Sequence, residues 1–213
     1  MRMTPLGLLS DLVPPLLTRA LAGLSRIVTD AIARLRLAPY KRLHLACGSN
    51  IMTGWANVDL VGPPKVIRLD LTRALPIVSA SVSFIYSEHF IEHIPRHAVA
   101  CLVRECHRVL EAGGVLRLST PDLKELIAQY HAGRLDYWGD MDWKPASPAQ
   151  LINQGMRLWG HQFVFDQAEL EAVVREAGFS KIEPRAWRES PHEALTALEC
   201  RAFHGELIYE CTK

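Results

Sequence analysis

The chain has few cysteines, and their spacing excludes two common uses of the residue. Its 213 residues include five cysteines, with no C-x-x-C pair among them: Cys47, Cys101, Cys106, Cys200 and Cys211. An odd number without that spacing argues against a disulfide framework and against a structural zinc site. We therefore expect reduced thiols and a cytoplasmic protein.

The chain also lacks a strong charge of either sign and a long uninterrupted apolar run. Its 24 basic and 23 acidic residues give a net charge of +1 at pH 7, with no dense basic stripe. Binding to nucleic acid is therefore not predicted. Charges at Asp11, Arg19, Arg26 and Asp30 interrupt the apolar N-terminal region, which excludes an ordinary transmembrane span.

What the sequence does contain suits one globular domain, residues 41–213, preceded by a helical extension, residues 1–40. In the extension, apolar residues recur at three- and four-residue steps: Leu17, Leu21, Leu24, Val28, Ala31 and Leu35. This spacing predicts an amphipathic helix packed on the domain or over its active site. Association with a membrane surface and a homodimer seam remain alternatives.

Residues 41–59 have the pattern of two short strands that end in functional groups. Leu43 and Leu45 alternate with polar residues and lead into a turn at Gly48, and the second strand ends at Asp59. In an open parallel sheet, the loops at the carboxyl ends of adjacent strands line the ligand crevice. Gly48 allows close backbone approach, and a carboxylate accepts both hydroxyls of a ribose. These features predict a nucleoside pocket.

This stretch resembles the cofactor-binding start of the class I S-adenosylmethionine-dependent methyltransferases, closest to their type 11, small-molecule branch. Members often read Leu-(Asn/His)-Leu-Gly-Cys-Gly and then Gly-Trp-x-Asn-Val-Asp, which correspond here to residues 43–48 and 54–59. Two positions depart from that pattern, because Ala46 replaces the first glycine and His44 replaces a common acidic residue. We expect Ala46 to fit such a turn only with a negative φ.

The resemblance continues to the end of the chain, over roughly residues 41–213. Residues 108–116 are similar to the family's Arg-Val-Leu-Lys-Pro-Gly-Gly-x-Leu segment, and residues 87–94 to its Ser-x-His-x-(Leu/Ile)-Glu-His-Ile segment. The implied α/β fold is a Rossmann-like, doubly wound, mostly parallel seven-stranded sheet with an antiparallel edge strand, plus the N-terminal helix.

Local patterns add three expectations about elements. A helix begins at Pro95 and ends at the glycines of residues 111–114. Asp166 is the predicted N-cap of a helix over residues 167–177, with Glu169 completing a capping box. Residues 131–160 form a predicted irregular insertion, whose aromatic residues are Tyr137, Trp138, Trp143 and Trp159. These aromatic residues could form a wall or cover for the substrate pocket, and plain packing of a long insertion is the alternative.

The resemblance implies S-adenosylmethionine as the cofactor and places its contacts at the strand ends. Asp59 would hold the ribose, and Asp70 would accept a hydrogen bond from the adenine amino group. Capping of the following turn is an equally good interpretation of Asp70. The predicted cofactor-binding residues are Ala46, Cys47, Gly48, Asp59, Leu60, Asp70, Leu71, Ser87 and Glu88.

The implied reaction is methyl transfer to a small-molecule or glycan acceptor. No Asn-Pro-Pro-Tyr-like segment follows the fourth predicted strand, which favours a hydroxyl oxygen over an amino group as the acceptor. Such a transfer needs alignment of the reactants and a base for the hydroxyl proton. We predict His89 and His161 as catalytic residues, and Glu88, His93 and Asp122 are second-choice candidates. For each histidine, a structural hydrogen bond or a position in a solvated loop is the alternative.

Three other functions fit parts of the sequence. His89-x-x-Glu92-His93 matches the H-x-x-E-H pattern of zinc peptidases, but Pro95 leaves room for little more than one helical turn, so no metal ligands are predicted. A nicotinamide enzyme needs a G-x-G-x-x-G fingerprint that this turn lacks. A cofactor-binding module without catalysis is the main alternative, supported by Ala46 and His44.

Overall fold

The computed structural model describes residues 27–135 and 143–213, which contain one sheet and five helices. The strands are β1 (Arg42–Leu45), β2 (Ala56–Asp59), β3 (Ile67–Arg68), β4 (Val82–Glu88), β5 (Leu110–Thr120), β6 (Lys181–Pro184) and β7 (Leu207–Thr212). The helices are α1 (described over 27–37), α2 (Arg96–Val109), α3 (Leu123–Ala132), α4 (Pro148–Gly155) and α5 (Gln167–Glu176). Short 3₁₀ turns cover Ile91–His93, Leu158–Gly160 and Glu193–Leu195.

The sheet has the order β3-β2-β1-β4-β5-β7-β6. The first five strands in this order are parallel, and β7 runs antiparallel to both β5 and β6. The predicted seven-stranded, mostly parallel sheet with an antiparallel pair at one edge is therefore confirmed. The strand order reverses beside β1, because β2 and β3 lie on one side of it and β4 and β5 on the other, so the ligand crevice of this topology lies at the carboxyl ends of β1 and β4.

The two faces of the sheet are covered in different ways. On one face, Leu43, Ile85 and Leu116 belong to the main hydrophobic core, which also contains buried residues of α1, α2 and α5. On the other face, Tyr86 and Val115 pack with a smaller cluster that includes Leu195 from the irregular segment 185–204. The connections between β1, β2, β3 and β4 contain no helix, so this segment covers the sheet where a crossover helix would otherwise lie.

A buried charge network attaches segment 185–204 to the sheet. Arg117 on β5 is fully buried, and its Nε donates to Glu199 Oε1 at 2.6 Å. Its Nη1 donates to Glu210 Oε1 at 2.8 Å and to the carbonyl of Glu189 at 2.9 Å. Glu210 in turn accepts from Arg185 Nε at 2.8 Å. Because a buried guanidinium needs paired acceptors, these contacts determine where the segment lies.

One helix end differs from the prediction and another agrees with it. Helix α2 stops at Val109, and β5 begins at the next residue; Gly113 lies inside β5 with φ 78°, where the register with β4 shifts. The glycine therefore serves a strand irregularity rather than a helix cap. Asp166 caps α5 as predicted, because its side chain accepts from the backbone N–H of Glu169 at 2.8 Å.

The insertion over residues 131–160 is more regular than predicted. Ser147 caps α4 by accepting from the backbone N–H of Gln150. Helix α4 packs against α3 through a small core that contains Leu126, Trp143 and Leu151. The prediction of an irregular segment is therefore wrong over α4, while Tyr137 and Trp138 lie outside the described residues.

The packed face of α1 is also not the predicted one. Ala33 and Leu37 are buried and join the main core, whereas Val28 and Leu35 are 50% and 76% exposed. The predicted stripe therefore faces away from the core in the described part of α1, and its first three leucines lie outside that part. No helix of the described residues is both long and apolar enough to cross a membrane.

We predict that Arg117→Met lowers the free energy of unfolding by about 3–5 kcal/mol, because it removes the guanidinium partner of buried Glu199 and leaves buried Glu210 with Arg185 alone. The matched control is Arg96→Met, which removes a half-exposed ion pair with Glu169 and should cost much less stability than Arg117→Met. Urea unfolding of both variants measures the difference. Equal losses would show that the buried network does not determine the position of segment 185–204.

Candidate active site

The turn after β1 is joined directly to the end of β2. The backbone N–H of Cys47 donates to the carbonyl of Val58 at 3.0 Å, and that of Gly48 donates to Asp59 Oδ2 at 2.8 Å. Gly48 has φ 52°, and a Cβ added there would meet no atom within 4 Å. Open space therefore lies against the backbone of this turn, as close approach of a ligand requires.

Ala46 does not have the negative φ that we expected. Its φ is 53°, which places an L residue in the left-handed region at a cost of about 1–2 kcal/mol. The methyl group is half-buried and packs against the main core. The expectation about Ala46 was therefore wrong, and the turn keeps its shape with strain that a glycine would not have.

The end of β2 presents a carboxylate beside an exposed apolar side chain. Asp59 is half-buried, and within the described residues its Oδ1 accepts only a long contact of 3.4 Å from the backbone N–H of Val61. Leu60 is 67% exposed. A carboxylate next to an apolar surface suits a ribose and a purine ring, so the two predicted residues have environments that fit their roles.

The predicted role of Asp70 fits less well. Its Oδ1 accepts from the backbone N–H of Thr72 at 3.0 Å and from the Thr72 hydroxyl at 2.6 Å. Arg73 Nε lies 2.8 Å from Oδ2. The hydrogen bond from Thr72 holds the pKa of Asp70 below its usual range. These contacts favour the capping interpretation, and the side chain of Leu71 is buried in the main core.

Ser87 and Glu88 end β4, which lies beside β1. Ser87 is buried, and its hydroxyl forms no hydrogen bond within the described residues. The carboxylate of Glu88 accepts from the backbone N–H groups of Cys200 at 3.1 Å and Arg201 at 3.2 Å, and from Cys200 Sγ at 3.0 Å. Because the protein itself occupies these acceptors, Glu88 holds segment 185–204 at the crevice, and direct cofactor contact is not favoured.

His44, at the family's acidic position, connects β1 to β2. Its Nδ1 lies 3.3 Å from Asn57 Oδ1, and Asn57 Nδ2 donates to the carbonyls of Met52 and Trp55. These two carbonyls identify Oδ1 as the acceptor, so His44 donates from Nδ1. Burial lowers the pKa of His44, which keeps the ring neutral. The methyltransferases that this sequence resembles commonly have an acidic residue at this position. Here a neutral histidine forms a hydrogen bond instead.

His89 lies between two carboxylates. Its Nδ1 is 3.3 Å from Glu92 Oε1, and its Nε2 is 3.4 Å from Glu206 Oε1, with all three side chains buried. Burial disfavours the imidazolium, but Glu206 and Glu92 outweigh that effect and raise the pKa of His89 to about 9. At neutral pH the ring is therefore protonated and both nitrogens face acids. This geometry does not favour His89 as the group that takes the acceptor's proton, and it fits the structural role given above as the alternative.

Glu92 is the centre of this cluster. It is fully buried, and its Oε2 accepts from the hydroxyl of Thr120 at 3.0 Å. His93 Nε2 lies 3.8 Å from Oε1. The helix here spans only Ile91–His93 and His89 has φ 48°, so the continuous helix that a zinc peptidase needs is not formed. The expectation that these residues form no continuous helix is therefore confirmed.

His161 has the opposite character to His89. Its Nδ1 lies 3.0 Å from the carbonyl of Gly155, so Nδ1 carries the hydrogen and Nε2 the lone pair. Burial lowers its pKa and favours the neutral ring. The ring meets His93 edge-on, with centroids 4.9 Å apart, and lies 5.6 Å from the ring of Trp159. Trp159 in turn contacts Trp143, so aromatic rings lead from a half-exposed tryptophan to the Glu92 cluster.

Sequence reasoning missed two features of this site. Glu206 was not predicted, because no local pattern connects a residue before β7 with His89 after β4. Glu92 was considered only as part of the peptidase pattern and of the family segment over residues 87–94, and no role in the site was predicted for it, although it links His89, His93 and Thr120. Asp122 is the N-cap of α3, accepting from the backbone N–H of Lys124, which is a structural role.

Comparison with known proteins connects this geometry to a family. Residues 29–118 match the family model of a methyltransferase domain. An S-adenosylmethionine-dependent methyltransferase from Mesorhizobium loti is similar in fold, with a TM-score of 0.50 at 17% identity over 84% of this chain and 93% of that one. An S-adenosylmethionine-dependent methyltransferase from Archaeoglobus fulgidus has a TM-score of 0.50 at 14% identity over 88% and 94%. No curated protein matches significantly.

We predict that His89 stabilises the fold in a pH-dependent way. A raised folded pKa gives stability that is fully present below the unfolded value of about 6.5 and is lost as pH rises through about 9. Thermal unfolding of wild type and His89→Gln should therefore differ most near pH 6 and converge at high pH, with a difference of up to about 3 kcal/mol. A difference that is constant with pH would contradict a protonated His89.

Proposed function

We propose that this chain, a class I S-adenosylmethionine-dependent methyltransferase, transfers a methyl group to a hydroxyl oxygen of a small-molecule or glycan acceptor. One observation carries this proposal. Aromatic rings from Trp159 through His161 lead to the Glu92 cluster at the end of β4, the strand that pairs with β1 and its cofactor turn. An acceptor that enters along these rings would meet the methyl group between the two strand ends.

The cofactor end of the crevice uses backbone and carboxylate groups. The open space at Gly48 would receive the amino acid part of S-adenosylmethionine, while Asp59 would hold the ribose and Leu60 the adenine face. Transfer is an in-line displacement at the methyl carbon, so the main task of the protein is to align the reactants.

The acceptor end supplies a proton acceptor. Nε2 of His161 has a lone pair, because the carbonyl of Gly155 accepts the hydrogen of Nδ1 and so fixes the tautomer. Within the described residues, Nε2 forms no hydrogen bond. A hydroxyl placed against Nε2 could pass its proton there as the new bond to carbon forms. Flat faces of tryptophan and histidine suit sugar and aromatic acceptors, which is why we favour these classes.

A cofactor-binding module without catalysis is the second candidate. The left-handed Ala46 favours it, since strain in the cofactor turn lowers the stability of the binding conformation. Ala46 nevertheless leaves the hydrogen bond between Gly48 and Asp59 in place, so we favour the enzyme.

We also propose a cytoplasmic location, supported by five free cysteines. The exposed Val28 and Leu35 of α1 support contact with a membrane surface, and a homodimer through the same residues is the alternative. No partner nucleic acid is proposed, because the chain has almost no net charge.

We predict that Ala46→Val weakens S-adenosylmethionine binding and lowers the free energy of unfolding by at least about 1 kcal/mol, because a β-branched residue tolerates a positive φ poorly. Ala80→Val is the matched control. Ala80 has the same φ of 53° but precedes β4, at the opposite end of that strand from the crevice. It should lose stability and keep its affinity, and equal affinity losses in both variants would contradict the assignment of the turn.

The proposed reaction is tested in two steps, binding and then transfer. Calorimetric titration with S-adenosylmethionine and S-adenosylhomocysteine should show binding that Asp59→Ala abolishes and the exposed control Glu176→Ala retains. Methyl transfer to a panel of hydroxylated small molecules and glycans is then followed by the release of S-adenosylhomocysteine.

In that assay, His161→Ala should lower kcat by about 10²–10⁴-fold while cofactor affinity survives, as loss of a proton acceptor predicts. His131→Ala, an exposed histidine on α3, is the control and should retain full turnover. Methylation of amines but not of hydroxyls, or full turnover by His161→Ala, would overturn the proposed reaction. Cofactor binding with no transfer to any acceptor would favour the module without catalysis.

A further inference from the structure

We propose that Glu92, His93 and His161 form a binding site for a divalent transition-metal ion, Mn²⁺ or Zn²⁺. One ligand atom of each residue lies within 4.8 Å of the other two. The three residues come from two separate parts of the chain, the turn after β4 and the segment after α4. This inference rests on the proposed function, because it adds a metal ion to the acceptor end of the same site.

The first independent observation is an unsatisfied carboxylate oxygen. Glu92 is fully buried, and its Oε1 forms no hydrogen bond within the described residues. The nearest nitrogens are His89 Nδ1 at 3.3 Å and His93 Nε2 at 3.8 Å, both off the geometry of a hydrogen bond. The ion pair with His89 compensates this oxygen only in part, because a buried ionised oxygen without a hydrogen bond is costly, and a bound cation would supply the missing contact.

The second observation is that the surrounding groups orient the ligands. Thr120 holds the other oxygen of Glu92, which leaves Oε1 directed at the histidines. The carbonyl of Gly155 accepts from Nδ1 of His161, which leaves Nε2 with its lone pair. Metal-binding histidines usually donate their second nitrogen to a carbonyl or a carboxylate in this way.

The donor set determines the kind of ion. Two imidazoles and one carboxylate suit first-row divalent ions and are too rich in nitrogen for Mg²⁺ or Ca²⁺. Three protein ligands leave positions open for an oxygen of the acceptor. His93 and His161 are both half-buried, so solvent reaches the edge of the cluster. Occupation of Oε1 would end its contact with His89, which stays paired with Glu206.

A bound ion would assist the transfer by lowering the pKa of a coordinated hydroxyl. The proton leaves to solvent water, and the resulting alkoxide oxygen attacks the methyl carbon of S-adenosylmethionine. The carbon–sulfur bond breaks, its electron pair stays on sulfur, and S-adenosylhomocysteine leaves. No oxidant or reductant is needed. In this arrangement His161 binds the ion and does not itself take the proton.

The test uses the full chain without an affinity tag, stripped of metal by chelation. Titration with MnCl₂, followed by electron paramagnetic resonance, should show one saturable site; Mn²⁺ is preferred because the exposed thiols of Cys101 and Cys200 bind it weakly. His93→Ala and His161→Ala should each weaken binding by at least about tenfold. The control His97→Ala, an exposed histidine on α2, should bind as wild type does.

Absence of saturable binding, or binding that both ligand variants retain, would overturn the proposal. Full methyl transfer after the metal has been removed would also overturn it, while leaving the proposed function intact. Conversely, binding that depends on His93 and His161, in a protein that methylates no hydroxyl, would support the metal site and count against the proposed acceptor. Cofactor binding is measured separately with chelator present, so the two failures remain distinguishable.

Discussion

The fully buried guanidinium of Arg117 is the constraint on which the rest of the structure depends. A charge that is removed from water must be met by opposite charge and hydrogen-bond acceptors, and Glu199 and Glu210 supply both. Such a network contributes little net stability relative to an apolar core, but it allows the charged side chains and the segments that carry them few alternative positions. The connections between the first four strands contain no helix that could hold segment 185–204 on the second face of the sheet. The position of this segment therefore depends largely on its contacts with Arg117.

The same part of the chain builds one side of the crevice. Segment 185–204 meets Glu88 through two backbone N–H groups, and Glu206 just after it meets His89. The ends of β4 and β1 are adjacent, and a non-glycine residue with positive φ follows each of them. These residues are His89 after β4 and Ala46 after β1. Strain of this kind persists only where the surroundings hold it. Here the surroundings are the hydrogen bond of Gly48 to Asp59 and the two carboxylates around His89.

The parts that could be predicted from sequence are those encoded by neighbouring residues. Alternation of Leu43 and Leu45, the turn at Gly48 and the cap at Asp166 each require only a short window, and the structure contains all three. Arg117 could not be recognised, because a charged residue in a strand ordinarily indicates exposure, and its partners lie far along the chain. The face of α1 was misjudged because Ala33 and Leu37 carry a weaker apolar pattern than the exposed stripe.

The candidate site was still harder to predict from neighbouring residues alone. His89 and His161 were predicted from residue type and from their positions, after the fourth strand and at the end of the aromatic insertion. Their environments nevertheless give them opposite properties around one carboxylate, Glu92. Both nitrogens of His89 face acids, which stabilise its protonated form and favour a structural role. Nδ1 of His161 faces a carbonyl, so Nε2 keeps a lone pair. A lone pair close to a buried carboxylate suits a proton or a cation, which is why we propose His161, rather than His89, as the residue through which this cluster acts on an acceptor.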